Sequence, residues 1–179
     1  MFYIVFLILH QIRLINLRKP IFYKKRGNIY SVFLTNKFIK DKVIIFNADI
    51  IISKNTLRKL IYNSEKNLFL ANNKKQINKD DIIFHYNNRK VVKKVYIKPS
   101  SKKNSLNLVP SAGVAKMEFD TYRKYINILK SLDFDKEKYY EKGYQQLIKL
   151  TKFKVYISNK KIIEVDTKSD YENLLIKYR

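Results

Sequence analysis

Three acidic side chains follow apolar segments of the chain, and carboxylates are the protein groups that bind Mg²⁺. Asp49 comes after the apolar run at residues 43–46 and a short polar step, and Glu164 and Asp166 come after a second apolar segment. A continuous apolar run of this kind is typical of a strand buried on both faces of a parallel sheet. The acid that follows then lies at the carboxyl edge of the sheet, where open α/β folds bind ligands. If two of these carboxylates converge, they form a divalent-cation site for handling phosphates.

Each of these acids also has an ordinary structural interpretation. Asp49 could cap the turn that ends its strand, and Asp166 could lie near the positive end of a helix dipole. Glu164 could be an outward-facing charge within a strand. The residue types alone leave both interpretations open for all three acids.

The segments that would position the acids alternate between strand-like and helix-like patterns. This alternation predicts an α/β fold in a single domain over residues 1–179. Asn87 and Asn88 separate two of the strand patterns and predict a hairpin turn. The predicted strands are residues 43–46, 68–71, 82–86, 91–97, 153–157 and 162–165, and the longer predicted helices are residues 119–132 and 136–150.

Polar residues mark the expected starts of three further helices. Ser31 and Ser53 each precede a helical apolar pattern, as an N-cap residue does. Thr167 and Asp170 have the spacing of a capping box, which predicts a final helix. The last of these helices would begin directly after Asp166.

The chain carries 38 Lys and Arg residues against 15 Asp and Glu, which gives a formal net charge of +23. One interpretation is a nucleic-acid surface, since basic residues neutralise phosphates and release counterions. The other is a coding bias, because Lys, Asn, Ile, Tyr and Phe have AT-rich codons and the chain has no Trp and only three Gly. The basic residues form no long block, which is typical of a solvated surface.

The sequence also excludes several kinds of site. Cysteine is absent, so disulfides and thiolate metal sites are excluded, and two histidines, His10 and His85, make a multi-histidine zinc site improbable. The apolar segment at residues 1–9 is shorter than the roughly 20 residues that span a bilayer. It also lacks the features of a signal peptide. We therefore expect no membrane span and a cytoplasmic location.

Six short motifs occur in order along the chain. They are Asn28-Ile29-Tyr30-Ser31, residues 43–49 (VIIFNAD), the segment from Leu57 to Ile61, Ser111-Ala112-Gly113-Val114, Tyr139-Tyr140-Glu141 and residues 162–174 (IIEVDTKSDYENL). In order and spacing they resemble the nucleoside-triphosphate transferase family. The resemblance is closest to its phosphocholine and phosphonate cytidylyltransferases and extends from about Asn28 to the C-terminus. Each motif alone is weak, and the shared order gives the match its specificity.

The resemblance implies a doubly wound, Rossmann-like α/β domain with a mixed, mostly parallel sheet. Such a domain transfers a nucleoside monophosphate from a nucleoside triphosphate and releases pyrophosphate, and the nucleotide expected here is CMP. The acceptor is phosphocholine or another phosphorylated small molecule, such as a sugar phosphate. Asp49 and Asp166 would be the catalytic acids, and with Glu164 they would hold Mg²⁺ against the substrate phosphates. The cation would neutralise the α-phosphate during in-line attack.

The resemblance implies three substrate contacts as well, each with a structural alternative. Lys98 would reach the triphosphate, or it would be a surface lysine. Gly113 would let the substrate approach the backbone, or it would form a plain turn. Tyr140 would be a cation–π wall for a quaternary ammonium group, or it would be a core aromatic residue.

The sequence departs from the family at its N-terminal part. The family's first strand, its glycine-rich loop and its Pro-Lys step have no counterpart, because the three glycines, Gly27, Gly113 and Gly143, are far apart. The missing strand would leave a sheet edge bare, and the missing loop would remove backbone N–H groups that cradle phosphates. We therefore expect an N-terminally incomplete domain without measurable pyrophosphate release from CTP, phosphocholine and Mg²⁺.

Several alternatives remain open at this level. The chain could be a truncated product, the downstream part of a longer reading frame, or a domain with a binding or structural role. An alternative from another class is a basic RNA-binding or ribosomal protein of an AT-rich genome. That alternative would explain the charge directly, but the acids at the ends of strand-like runs do not favour it.

Overall fold

The computed structural model describes residues 2–7, 23–73, 77, 81–97, 107–137 and 139–178. The strands in these residues are β1 (Phe2–Leu7), β2 (Lys42–Asn47), β3 (Ile50–Ile51), β4 (Leu68–Asn72), β5 (Ile82–Tyr86), β6 (Val92–Ile97), β7 (Leu108–Met117), β8 (Lys154–Ser158) and β9 (Ile163–Glu164). The helices are α1 (Tyr23–Leu34), α2 (Lys54–Ile61), α3 (Phe119–Lys130), α4 (Lys142–Leu150) and α5 (Lys168–Tyr178). A 3₁₀ turn at Thr35–Lys37 follows α1. The predicted α/β class is confirmed.

The main sheet has the strand order β1-β2-β7-β4-β8, and the β5–β6 hairpin joins it through β7. β1 is parallel to β2, and β4 is parallel to β8. β7 runs in the opposite direction between β2 and β4, so both of these pairings are antiparallel. The sheet is therefore mixed, as predicted, but the prediction that it is mostly parallel is wrong for the described strands. The physical reason is the central position of β7, a strand that the sequence pattern did not predict.

β1 supplies a parallel neighbour for β2. The pairing runs from Phe2 opposite Lys42 to Leu7 opposite Asn47. From the sequence, the first strand is expected to be missing and this edge of the sheet to be bare. In the structure β1 covers the edge, so that expectation is corrected.

Alternate residues of the central strands pack on opposite faces of the sheet, as the two-residue period of a strand requires. On one face, Ile45 and Phe69 belong to a large cluster that includes residues of α1, α3 and α4. On the other face, Ile44 packs in a smaller cluster with Leu60 of α2. Helices therefore cover both faces of the sheet. None of the described helices combines the length and apolar character that a bilayer crossing requires.

Hydrogen bonds at two helix starts confirm the predicted caps. The Ser53 hydroxyl accepts from the backbone N–H of Thr56 at 3.1 Å. Thr167 and Asp170 exchange bonds, since the Asp170 carboxylate accepts from the Thr167 N–H at 2.9 Å and the Thr167 hydroxyl accepts from the Asp170 N–H at 3.1 Å. Ser31, in contrast, lies inside α1 rather than at its start. The helix begins earlier, at Tyr23.

The predicted hairpin between β5 and β6 is confirmed. The Asn87 side chain holds its turn by accepting from the backbone N–H groups of Arg89 at 3.1 Å and Val91 at 3.0 Å. The left-handed conformation falls on Lys90, with a φ of 57°. Asn87 thus acts through its side-chain oxygen, which is the usual role of Asn in such turns.

Candidate metal and phosphate site

A two-stranded ribbon brings the two acidic segments of the chain together. Ile50 of β3 pairs with Glu164 of β9 in antiparallel register. Next to this pair, the backbone N–H of Val165 donates to the carbonyl oxygen of Asp49 at 2.8 Å. Asp49 and Asp166 therefore lie on neighbouring backbone segments although they are far apart in sequence.

Asp49 and Asp166 line the same cavity, which has a volume of about 130 Å³. In a chain with a net charge of +23, no Lys or Arg of the described residues contributes to this lining. Like charges held close together repel one another, so this concentration of acids favours a bound cation. The acids of the lining are Asp49, Asp81, Glu141, Glu164 and Asp166.

The Asp49 carboxylate is half-buried, and its Oδ1 is a buried atom without a hydrogen-bond partner among the described residues. Burial raises the pKa of this carboxyl above its usual range, and the nearby charge of Asp166 adds to the increase. An unpaired oxygen in such a place costs free energy that a bound cation would recover. The unpaired oxygen gives no support to the alternative of a turn cap, and the role of Asp49 as a metal ligand remains a prediction.

The residues of the cavity can hold Mg²⁺ only if substrate and water supply the remaining ligands. No group of three or more His, Asp or Glu side chains in the described part of the chain is placed to hold a metal ion by itself. Mg²⁺ retains several waters and needs only one or two carboxylates when phosphates supply further oxygens. Asp49, with its unpaired oxygen, and Asp166 supply this number. Glu164 lines the same cavity from β9.

Gly113 lies in the wall of the cavity, at an irregular point of β7. The register of β7 against β4 shifts here, and Gly113 has a φ of +66°, which favours glycine. A Cβ atom at this position would lie 2.7 Å from the Asn47 Nδ2 atom. Glycine is thus required by the backbone turn and by the close approach of the Asn47 side chain. A contact with substrate remains a prediction.

Tyr140 does not line the cavity. Its side chain is 1% exposed, its ring lies edge-on to Tyr144 at 5.7 Å, and its hydroxyl donates to Asn47 Oδ1 at 2.5 Å. This placement agrees with the alternative of a core aromatic residue, so the structure offers no support for a cation–π wall at Tyr140. Lys98 lies outside the described residues.

Asn47 and Glu141 are among the cavity residues that were not predicted as site residues. Asn47 is the last residue of β2, and Glu141 precedes α4. Glu141 is only 3% exposed, and burial, with a contribution from the Asp49 charge, raises its pKa to about 7. The available signal was an acid next to Tyr140 on an apolar helical face, where a charge is uncommon.

Known proteins with the same fold appear among solved structures. No protein-family model matches the chain, and a comparison with curated proteins gives no significant match. The inositol-1-phosphate CTP transferase from T. maritima is similar over 87% of this chain, with a TM-score of 0.65 and 18% identity. The CTP:phosphocholine cytidylyltransferase from Streptococcus pneumoniae is similar over 88%, with a TM-score of 0.61 and 17% identity. A UDP-glucose pyrophosphorylase complexed with UDP-glucose is similar over 87%, with a TM-score of 0.65 and 14% identity.

The chain spans 62%, 66% and 64% of the lengths of these three structures. At such low identity the similarity establishes the architecture, and the site must be argued from this chain's own residues. The β/α order, the mixed sheet and the helices on both faces thus constitute the fold of solved nucleotidyltransferases.

Proposed function

We propose that the chain is a nucleotidyltransferase-type domain. Its acidic cavity serves the transfer of a nucleoside monophosphate, CMP in the first instance, from a nucleoside triphosphate to a phosphorylated small molecule, with release of pyrophosphate. The observation that carries the proposal is the convergence of Asp49 and Asp166 on one cavity through the β3–β9 ribbon. The fold shared with a CTP transferase and a cytidylyltransferase supports the same class of reaction.

Asp49 and Asp166 would hold Mg²⁺, with Glu164 as a further oxygen donor at the rim. When bound, the ion supplies charge neutralisation for the reacting phosphates. The protein's own contribution is to keep the two carboxylates in place before substrate arrives. The ribbon does this for the backbone, because the Val165 N–H is bonded to the Asp49 carbonyl oxygen at 2.8 Å.

The nucleotide must lie largely outside this cavity. Its volume of about 130 Å³ is well below the roughly 300–1,000 Å³ of sites that enclose a whole ligand. The sequence also offers no glycine-rich run to cradle a triphosphate, since its glycines are Gly27, Gly113 and Gly143. We therefore propose that the cavity binds the cation and the acceptor end of the reaction, and that the chain alone gives no measurable pyrophosphate release.

Titration with Mn²⁺, followed by electron paramagnetic resonance in the presence of CTP, tests the proposed site. We expect bound Mn²⁺ in the wild type and a loss on the order of tenfold or more in affinity in Asp49→Asn and in Asp166→Asn, because each removes a charged ligand. Glu172→Gln, which changes an exposed acid of α5, is the matched control. Unchanged Mn²⁺ affinity in both aspartate variants would contradict the proposal.

A pyrophosphate-release assay with CTP, phosphocholine and Mg²⁺ addresses turnover separately. We expect no signal above background. Robust release that disappears in Asp49→Asn would refute the expected inactivity and would establish the site as catalytic.

RNA binding is a second candidate function, and one observation favours it. A cleft of about 590 Å³ beside β6 and the end of α4 is lined by Arg89, Lys93, Lys149 and Lys152, without an acid among its described lining residues. Basic clefts of this kind bind phosphates through counterion release. Salt-dependent RNA binding that does not respond to Mg²⁺ or nucleotide would favour this function over nucleotidyl transfer.

A further inference from the structure

Two clefts adjoin each other at the turn of the β5–β6 hairpin. One has a volume of about 470 Å³ and the other, at the end of α4, a volume of about 590 Å³. Each is large enough to hold a small ligand, for which roughly 300–1,000 Å³ is usual. Together they form the hairpin surface, and the residues that line both clefts are Asn87, Arg89 and Lys93.

The hairpin surface carries positive charge that the protein itself does not neutralise. Its basic side chains are Arg89, Lys93, Lys149 and Lys152, and its described lining residues include no acid. None of the four forms an ion pair within the part of the chain that the structure describes. Other lysines do pair with acids, as Lys142 does with Glu137 at 3.6 Å. Cations without a protein counter-charge are available to bind phosphates.

Backbone hydrogen bonds fix the turn that carries the shared residues. The Lys90 N–H donates to the Asn87 carbonyl oxygen at 2.7 Å, and the Lys90 carbonyl oxygen accepts from the Val155 N–H at 2.9 Å. Beside the turn, the Tyr86 N–H donates to the Asn107 carbonyl oxygen at 3.1 Å. Lys90 and Asn107 have positive φ values of 57° and 69°, which the surrounding structure must hold in place. The hairpin surface is therefore ordered before a ligand binds, which lowers the entropic cost of binding.

Tyr86 adds an aromatic ring to this basic surface. Its side chain is half-buried, since it packs against the main core cluster while it also lines the cleft of about 470 Å³. Basic grooves with aromatic residues bind single-stranded nucleic acids, because the phosphates follow the charges and the bases stack on the rings. In a duplex the bases are already paired and stacked, so an aromatic ring in a recess adds little to binding.

We propose that the hairpin surface binds single-stranded nucleic acid, with phosphates along its four basic side chains and a base against Tyr86. This inference rests on the second candidate function, RNA binding, and specifies the form of the ligand and the residues that contact it. The hairpin surface shares no described lining residue with the acidic cavity. Ile82 lines the acidic cavity, and four steps along β5, at roughly 3.3 Å each, place Tyr86 about 13 Å from it.

Fluorescence anisotropy in buffer with EDTA tests the proposal, with a labelled RNA strand of about 12 nucleotides, the DNA strand of the same sequence and the matching RNA duplex. In the wild type we expect both single strands to bind at least about fivefold more tightly than the duplex, as the stacking of one base would produce. The logarithm of the binding constant should fall with the logarithm of the salt concentration with a slope of about −3, from four phosphate contacts of about 0.7 each. A surface that attracts phosphates only diffusely would favour the duplex, whose charge density is higher.

Substitutions separate the hairpin surface from the general positive charge of the chain. Arg89→Gln alters both clefts, so it should weaken binding and make the salt slope shallower by about 0.7, the contribution of one phosphate contact. Arg58→Gln, the same change at an exposed arginine of α2, is the matched control and should do neither. Tyr86→Leu should remove the preference for single strands without changing the salt slope, and Tyr86→Phe should retain the preference.

Equal losses in Arg89→Gln and Arg58→Gln, or tighter binding of the duplex, would overturn the proposal. Because Tyr86 also contacts the core, thermal unfolding accompanies its variants; if Tyr86→Leu is unfolded, the comparison of the two arginine variants decides. If no single strand binds selectively while Mn²⁺ binding still depends on Asp49, the inference fails and nucleotidyl transfer stands. If single strands bind as expected while Mn²⁺ binding does not depend on Asp49 or Asp166, nucleotidyl transfer fails and the inference stands.

Discussion

The Glu141 carboxyl should make the stability of the protein fall as the pH rises. Burial raises the pKa of this group from 4.5 to about 7 in the folded chain. Between these two values the folded state binds more protons than the unfolded state, so the free energy of unfolding decreases with pH. Each pKa unit corresponds to about 1.4 kcal/mol, so the loss across this window is roughly 3 kcal/mol. The loss is complete once the pH is above the pKa that Glu141 has in the folded chain.

Glu141→Gln removes the charge while it keeps the size of the side chain. The variant should therefore lack this loss and should be more stable than the wild type by up to about 3 kcal/mol at a pH of about 8. At a pH of about 5 the difference should become small or change sign. The raised pKa of Asp49 acts in the same direction in both proteins, and only the part of its effect that does not depend on Glu141 cancels in the comparison, because the two carboxyl groups interact.

Urea denaturation of both proteins at these two pH values, in buffer with a chelator, measures the effect. The quantity of interest is the change with pH in the stability difference between the two proteins. If wild type and Glu141→Gln lose stability in parallel between the two pH values, Glu141 does not titrate in this window, and the argument from its burial is refuted.

Three further changes test other parts of the structure. Gly113→Ala places a Cβ at a φ of +66° and 2.7 Å from Asn47 Nδ2. Urea denaturation should therefore show that the free energy of unfolding falls by about 1–3 kcal/mol. An unchanged denaturation midpoint would argue against the described turn. Ser53→Ala removes the cap of α2 and should cost about 1 kcal/mol in the same assay, while Mn²⁺ affinity stays constant. Phe69→Ala opens the stack between Phe84 and Phe153 and should cost about 3–5 kcal/mol in thermal or urea unfolding; a loss below about 1 kcal/mol would show that this stack is not central to the core.

The strands with a regular pattern could be predicted from the sequence, and β7 could not. β2 is a continuous apolar run, and it forms a strand buried over four successive residues. β7 contains Pro110 and Gly113, which ordinarily weaken a strand, and its pattern is broken where its register against β4 shifts. Its pairing with β2, β4 and β5 determines its conformation. The sheet was therefore predicted as mostly parallel because its central antiparallel strand has no clear local signal.

As with the strands, one part of the candidate site could be predicted from the sequence, its two aspartates, and another part could not. Asp49 and Asp166 follow apolar runs, and strand topology alone suggests that such acids meet at one sheet edge. Asn47 and Glu141 belong to a strand and a helix start, where polar residues have many ordinary roles. Their presence in the cavity depends on how α4 packs against the sheet. The same packing directs the Tyr140 hydroxyl inward to Asn47, in agreement with the alternative of a core aromatic residue.

The position of β7 also affects how the chain folds during its synthesis. Val43 and Leu68 pair with Met117 and Lys116, so two apolar strands leave the ribosome well before the strand that joins them exists. Such distant pairings slow folding and leave unsatisfied strand edges in the growing chain. Nascent chains that end before residue 108 should therefore depend on chaperones, and release from that dependence should coincide with the emergence of β7.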